Sequence, residues 1–266
     1  YGDCALISKE TFAKVFEEHK GYDLTILTAK TLGESTKNRV IRDNQGFVSG
    51  VVEYQDIRDE DKELYQEVDL GLYCFDNKLL FEYLPELHDS SSREKIHIAD
   101  LVKVMREKGH KIQALRVDNE GEFMGINDRF DLGKAHKYLQ KQINAKHLSQ
   151  GVSILEPESV YIGPDVKIEK DVKIYPNVHI YGQSHIGEGA HILSGSWLED
   201  VSIGAHTQID SSKIVGGSVG DHSTVGPMAH LRSNCVIGHH VRIGNFVEMK
   251  NVHFGNYSAS AHLTYL

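Results

Sequence analysis

The stretch from Ile162 to Trp197 reads IGPDVK, IEKDVK, IYPNVH, IYGQSH, IGEGAH and ILSGSW. An aliphatic residue opens each of these six-residue segments, and Leu198 opens the next one. A period of six fits neither an α-helix, with about 3.6 residues per turn, nor a plain strand, with about two. It is typical of a short strand and a turn repeated many times. Two residues before the later aliphatic positions, the side chains are small or β-branched: Val166, Val172, Val178, Ser184, Ala190 and Ser196.

Three such segments close one triangular coil of about 18 residues, and stacked coils place each inward side chain on its equivalent one coil below. The period shortens between Ile203 and Val219 and returns to six from Val225 to Met249. The pattern predicts a left-handed parallel β-helix of nearly six coils, and seven evenly spaced aliphatic residues argue against a β-sandwich. We expect Gly163 and Gly187 to adopt positive φ at corners.

Residues 1–150 lack this period and alternate strand-like with helix-like runs. This alternation indicates an α/β domain of the nucleotidyltransferase-like, Rossmann type. The domain is expected to be incomplete, because it has no glycine-rich phosphate-binding loop. We predict a partial α/β domain over 1–129, a linking helix over 130–150 and the β-helix over 151–266. Within the first domain we expect a hairpin over 38–54, strands over 23–31, 67–75 and 110–118, and helices over 9–20, 77–87 and 93–109.

The bulk composition restricts the class of protein. A net charge of −9 argues against general nucleic-acid binding. No apolar run approaches the roughly 20 residues of a membrane span. Three widely separated cysteines, Cys4, Cys74 and Cys235, fit the reducing cytoplasm better than a disulfide framework. We therefore expect a cytoplasmic protein whose partners are small molecules.

Five short motifs carry a resemblance to a known family: YGD (1–3), GIND (125–128), VGPMAHLR (225–232), VRIGNFVEMKN (241–251) and AHLTYL (261–266). With this domain order, the chain resembles the bacterial bifunctional N-acetylglucosamine-1-phosphate uridyltransferase/glucosamine-1-phosphate acetyltransferase family. The resemblance implies a homotrimeric enzyme of UDP-N-acetylglucosamine and cell-wall synthesis that uses acetyl-CoA, UTP and Mg²⁺. In the family, more chain precedes YGD and follows HLTYL, so the chain is expected to be an internal fragment.

For acetyl transfer, the resemblance implies that His262 is the base that deprotonates the amine of glucosamine 1-phosphate. An imidazole suits this task because its usual pKa of about 6.5 lies near neutral pH. The resemblance also implies that Arg232 and Lys250 bind the phosphate and that Tyr265 adds a hydroxyl contact. From spacing alone, Arg232 and Lys250 are 18 residues apart, or one coil, and should lie one above the other. Further contacts lie beyond HLTYL in the family, so we expect little or no acetyl transfer by this chain alone.

For uridyl transfer to N-acetylglucosamine 1-phosphate, the resemblance implies that Asp3 and Asn127 hold Mg²⁺ and that Glu53 contacts the sugar. Asn38 and Asp69 fall at further substrate-binding positions, where the chain departs from the family. Its Gly-Tyr-Gly-Arg becomes residues 36–39, TKNR, and its Asn-Thr-Gly becomes residues 69–71, DLG. A carboxylate at position 69 near a sugar phosphate is unfavourable without a compensating partner.

These departures leave two alternatives open. The protein could be an acetyltransferase only, or a non-catalytic trimeric protein that binds sugar nucleotides through a degenerate uridyltransferase domain. A zinc enzyme of the γ-class carbonic anhydrase type is disfavoured. His179, His185 and His191 are six residues apart and so lie on different faces of the coil, and their same-face neighbours include Lys167, Lys173 and Trp197.

Overall fold

The computed structural model of the chain describes residues 4–30, 37–61, 65–87, 97–117 and 120–266. Contacts divide the chain into two compact units, Tyr1–Ala135 and His136–Leu266. Among the described residues, no helix is long and apolar enough to cross a bilayer. The assignment of functions to 1–129, 130–150 and 151–266 stays a prediction.

The first unit contains a five-stranded sheet in the order β3-β2-β4-β1-β5. The β1–β5 pair is parallel, whereas the β1–β4, β2–β3 and β2–β4 pairs are antiparallel. The sheet is therefore mixed within the described part of the chain. Its strands are β1 (Leu24–Lys30), β2 (Arg39–Arg42), β3 (Val48–Val52), β4 (Glu67–Phe75) and β5 (Ile112–Arg116).

Helices cover this sheet: α1 (Lys9–Glu18), α2 (Asn77–Tyr83) and α3 (Asp100–Glu107). Alternate residues of β1 point to opposite faces, so that Leu24 and Ile26 join one buried cluster and Leu27 and Ala29 join another. The α/β architecture is thus confirmed, with apolar cores on both faces. The helix expected over 93–109 begins only at Asp100, and residues 93–96 lie outside the described residues. Short 3₁₀ helices occur at Tyr54–Asp56, Asp59–Asp61, Glu120–Phe123 and Pro157–Ser159.

Helix α4 (Arg129–Ser149) begins in the first unit and ends in the second, and the chain then continues as a solenoid of short parallel strands. The strands are β6 (Ser153–Ile154), β7 (Tyr161–Ile162), β8 (Lys167–Ile168), β9 (Lys173–Ile174), β10 (His179–Tyr181), β11 (His185–Ile186), β12 (His191–Ile192), β13 (Trp197–Ile203), β14 (Gln208–Ile209), β15 (Lys213–Val219), β16 (Thr224–Val225), β17 (His230–Leu231), β18 (Cys235–Ile237), β19 (Arg242–Asn245), β20 (Glu248–Met249), β21 (His253–Phe254) and β22 (Ala259–His262).

These strands line three sides of a prism. One side stacks β7-β10-β13-β15-β17-β20, and another stacks β6-β9-β12-β14-β16-β19-β22. On the third side, β8 pairs with β11 and β18 pairs with β21, linked through the second halves of β13 and β15. The predicted parallel β-helix is confirmed, and its handedness stays a prediction.

The stacking register explains the sequence period. Ile162, Ile180 and Leu198 are aligned on successive coils, each 18 residues from the last, and all are buried. Leu198 then aligns with Ile214, so that this coil has only 16 residues. The shorter period therefore corresponds to smaller coils, in which β13 and β15 run through a corner as continuous strands.

The corners differ from our expectation. Residues in the left-handed region include Asp171, Asn177 and Gly182, whereas Gly163 and Gly187 are not among them. The expectation of positive φ at Gly163 and Gly187 was wrong. Gly187 is needed for close approach, because a Cβ there would lie 2.8 Å from the backbone N of Ala205 on the next coil.

Helix α4 lies over the first coil and is tied to it through buried polar side chains. Asn144 donates from Nδ2 to the carbonyl oxygens of Pro157 and Val160, at 2.7 and 3.0 Å, and Gln140 also donates to Val160. These bonds satisfy backbone acceptors at the open base of the solenoid.

Candidate active site

The register of the solenoid places Arg232 and Lys250 at equivalent positions on neighbouring coils. Their preceding residues, Leu231 and Met249, are Cα partners, and the Arg232 N–H donates to the Met249 carbonyl at 2.8 Å. Arg232 directly follows β17 and Lys250 directly follows β20, two strands of the same sheet, and Lys250 is exposed. The backbones of adjacent rungs are about 5 Å apart, so one phosphate can bridge two cationic side chains at equivalent positions.

Glu248 links this pair to Tyr265. Arg232 Nη1 lies 3.1 Å from Glu248 Oε1, with both side chains about half exposed, at 43% and 40%. Tyr265 is aligned over Glu248 on the next coil. No ion pair involves Lys250 within the described ranges, so its ammonium is the cation of the two that is open to an incoming anion.

His262 lies on the neighbouring side of the prism. It ends β22, is aligned over Asn245 of β19, and is exposed. Leu263 turns the chain in the left-handed region with φ of 49°, and Tyr265 follows on the next side. The His262 imidazole and the Tyr265 hydroxyl therefore lie on either side of one corner of the prism. Arg232 and Lys250 lie on the same side of the prism as Tyr265.

The first unit contains a cavity of about 610 Å³, a size that suits a small ligand. Asn38 and Glu53, both predicted as substrate-binding residues, line it together with His97 and Lys103. The wall is formed where β3 packs against α3. The described residues that line it are Asn38, Ile41, Ser49, Gly50, Val51, Val52, Glu53, Leu87, His97, Ala99, Asp100, Lys103, Val104 and Glu107.

Both carboxylate oxygens of Glu53 are engaged. Oε1 lies 3.2 Å from His97 Nε2, and Oε2 accepts from Gln55 Nε2 at 2.5 Å. The His97 backbone N–H donates to Asp100 Oδ2 at 3.1 Å, which fixes the turn before α3. The Glu53 side chain is therefore held in one orientation at the cavity wall.

Asp69 is buried, with 6% of its surface exposed, and has two partners of its own. Oδ1 accepts from the Gly71 N–H at 2.9 Å, and Oδ2 accepts from the Tyr73 hydroxyl. These bonds span an irregularity in β4 where Gly71 has a φ of 74°. Burial raises the pKa of the Asp69 carboxyl, and the bonds from Tyr73 and Gly71 partly oppose that shift. Asp69 thus stabilises the strand bulge, and its backbone N–H donates to the Asn38 carbonyl at 2.9 Å.

Of the predicted magnesium ligands, Asp3 lies outside the described residues. Asn127 is exposed just before α4, and its N–H donates to Asp131 Oδ2 at 3.4 Å. Lys134 lowers the pKa of the Asp131 carboxyl, with a smaller contribution from Asn127. In the described ranges, no three His, Cys, Asp or Glu side chains form a cluster that could hold a metal.

The fold and these positions define a class of protein: a hexapeptide-repeat β-solenoid preceded by an α/β unit. A family model described as the GMPPB C-terminal domain matches residues 157–258. Along its whole length the chain aligns with relatives called bifunctional protein GlmU. That of Shouchella clausii is 39% identical over 267 aligned residues, and those of Lactobacillus gasseri and Clostridioides difficile are 38% identical. The chain is therefore similar along its whole length to these relatives, and the resemblance stated from its motifs is confirmed.

All of this chain is covered by these alignments, but it spans only about 58–59% of the length of those relatives. Among solved structures, PerB from Caulobacter crescentus in complex with CoA and GDP-perosamine is similar at 19% identity, with a TM-score of 0.37. The likeness covers 60% of this chain and 85% of that one.

Two features of the site were not found from the sequence. His97 was placed inside a predicted helix, whereas it lies in the turn before α3 and reaches Glu53, 44 positions earlier. Tyr73 was not connected with Asp69, because the bulge that brings them together is not visible as a break in strand alternation. The glycine at position 71, in the interior of a predicted strand, was the available signal.

Proposed function

We propose that the protein to which this chain belongs makes UDP-N-acetylglucosamine in two steps. An acetyl group is transferred from acetyl-CoA to glucosamine 1-phosphate, and a uridyl group is then transferred from UTP to N-acetylglucosamine 1-phosphate, releasing diphosphate. The observation that carries the proposal is full-length alignment of the chain, at 38–39% identity, with relatives called bifunctional GlmU. The aligned rungs of Arg232, Lys250 and Tyr265 support the acetyl-transfer half.

In acetyl transfer, the amine nitrogen of glucosamine 1-phosphate attacks the thioester carbon and the C–S bond breaks. His262 accepts the proton that the amine loses, and the thiolate of coenzyme A leaves and is protonated. Lys250 and Arg232 hold the sugar phosphate, which fixes the amine relative to the imidazole. The Arg232 guanidinium is held by its ion pair with Glu248, which lies two residues before Lys250.

In uridyl transfer, Glu53 and Asn38 line the sugar pocket, and Asp3 with Asn127 would hold Mg²⁺. The carboxylates of the neighbouring Asp128 and Asp131 accept backbone N–H groups at the start of α4. The proposal therefore rests on Asp3 and Asn127, whose hard oxygen donors are of the kind this ion prefers. Bound Mg²⁺ would neutralise charge on the triphosphate. The role of the chain's own side chains is to hold the sugar phosphate in line with the nucleotide.

We propose a homotrimer in the cytoplasm. A half-buried aromatic stack of Tyr161, His179 and Trp197, with ring centroids 5.0 Å apart, lies on the same side of the prism as Arg232 and Lys250. Such a stripe supports packing against another subunit beside the acetyl-transfer site. The three free cysteines support a reducing compartment.

A second candidate is an enzyme that has kept only acetyl transfer. The engagement of Asp69 by Tyr73 and Gly71 favours it, because that carboxylate serves the strand bulge and is withdrawn from a substrate. This candidate shares the acetyl-transfer site and differs only in the first unit.

The test is a pair of assays on the complete gene product. Thiol release is measured with acetyl-CoA and glucosamine 1-phosphate, and diphosphate release with UTP, Mg²⁺ and N-acetylglucosamine 1-phosphate. The bifunctional proposal expects both reactions, with thiol release abolished by His262→Ala and diphosphate release retained. Thiol release without diphosphate release identifies the acetyltransferase alone, and failure of both overturns the proposal.

A further inference from the structure

The described residues that line the cavity of the first unit carry more negative than positive charge. Among its described lining residues, the carboxylates of Glu53, Asp100 and Glu107 face the ammonium of Lys103. Lys103 is itself 3.9 Å from Glu107 on the same helix, with both side chains mostly exposed. An anionic sugar phosphate entering this space meets repulsion unless part of the carboxylate charge is engaged.

His97 engages that charge at Glu53. Its imidazole Nε2 lies 3.2 Å from Glu53 Oε1, and its position is set by the Asp100 bond to its own backbone. Gln55 holds the other oxygen, so that the carboxylate is fixed from both sides. The Glu53 side chain is 20% exposed and His97 is 36% exposed, which leaves the pair open to the cavity but shielded in part from water.

We propose that His97 is a positioning residue for the sugar-phosphate pocket: it fixes Glu53 for contact with the sugar hydroxyls and offsets its charge toward the phosphate. The inference rests on the proposed uridyl transfer. Neither oxygen of Glu53 can rotate away without losing its contact with His97 or its hydrogen bond from Gln55. Removal of the imidazole therefore loosens substrate binding and leaves the bond-forming step unchanged.

The test is a double-mutant cycle on the complete gene product with N-acetylglucosamine 1-phosphate as the probe. We expect His97→Ala to raise KM for this substrate about fivefold, with little change in kcat, since the pair is partly exposed. His97→Gln keeps an N–H donor and is expected to restore KM to within about twofold. In a Glu53→Gln background, His97→Ala is expected to add no further effect.

The matched control is His110→Gln. His110 makes an imidazole–carboxylate pair with Asp23, also at 3.2 Å, away from the cavity lining. We expect this variant to leave KM unchanged. Thiol release by the acetyl-transfer site reports in every variant whether the protein is folded. If His97→Ala does not fold, His97→Leu, which fills the space without a donor, replaces it in the cycle.

An unchanged KM in His97→Ala, an equal effect in the Glu53→Gln background, or a loss confined to kcat overturns the inference. Calorimetric titration of N-acetylglucosamine 1-phosphate separates it from the proposed function. If the protein binds this compound but releases no diphosphate, uridyl transfer fails and the cycle in binding affinity still decides the role of His97. Absence of binding at millimolar concentration overturns both.

Discussion

Gly244 provides the sharpest link between the packing of the solenoid and its proposed chemistry. It lies in β19, buried, directly beneath Ala261 of β22. A Cβ at this position would lie 1.6 Å from the Ala261 carbonyl oxygen, whereas ordinary contact begins at 3.4 Å. Gly244→Ala must therefore displace the Ala261 backbone by roughly 1.8 Å, the difference between these distances.

His262 follows Ala261 directly, so its imidazole moves with the displaced backbone. A misplacement of about 1 Å can reduce a rate by about 100-fold. We expect Gly244→Ala to lower kcat/KM for acetyl transfer by at least about 100-fold, with an overpacking cost of about 1–3 kcal/mol in the free energy of unfolding. Diphosphate release, the reaction of the other unit, is expected to be unchanged.

The assay is thiol release by the complete gene product with acetyl-CoA and glucosamine 1-phosphate, with circular dichroism as a check on folding. Gly255→Ala is the matched control, because a Cβ there meets only Ser258 Oγ, at 3.9 Å. It is expected to keep full activity. A Gly244→Ala protein that releases thiol at nearly the normal rate would refute the placement of His262 on this rung.

Three other outcomes are expected. Ile192→Ala, at a fully buried rung, should cost about 2–5 kcal/mol in urea denaturation, whereas the half-exposed Val236→Ala should cost far less. Burial lowers the pKa of the His147 imidazole in the folded protein. The free energy of unfolding should therefore fall as pH drops from about 6.5 toward the lower pKa of the folded state. The substitution His147→Gln should weaken this pH dependence, whereas His253→Gln, at an exposed position, should not. Because burial raises the pKa of the Asp69 carboxyl, its ionisation should destabilise the folded protein as pH rises above 3.8, the pKa of the group in the unfolded chain. Asp69→Asn should therefore raise the free energy of unfolding at pH 7. Equal stability of the two proteins at that pH would contradict the burial argument.

The solenoid could be predicted because burial repeats along the chain. The six-residue aliphatic period matches inward positions one by one, and the stacking of Ile162, Ile180 and Leu198 follows from it. The shortening after Leu198 was visible as an altered period. The cause of the shortening is that β13 and β15 run through a corner as continuous strands. Which turn residues the shorter coils lack becomes evident only when the coils are stacked.

Glycine roles were predicted less well. Gly187 was expected to supply a positive φ, and it supplies space for the next coil instead. Both requirements produce glycine at a corner, so the residue type alone does not separate them.

In the candidate sites, spacing placed Arg232 over Lys250 because both lie on a periodic scaffold. In the first unit, no period relates His97 to Glu53 or Tyr73 to Asp69. Their contacts depend on a turn and a bulge that form only when β3 packs on α3 and β4 pairs with β1. The motif resemblance could name Glu53 and Asp69 but not the partners that this chain gives them. The catalytic and binding roles of all these residues stay predictions.

A crystal structure of the complete gene product with glucosamine 1-phosphate tests most directly whether the stacked coils build the acetyl-transfer site. We expect the phosphate within about 3 Å of both the Arg232 guanidinium and the Lys250 ammonium, with the amine turned toward His262. A phosphate bound away from these two side chains, or an amine directed away from His262, would contradict it.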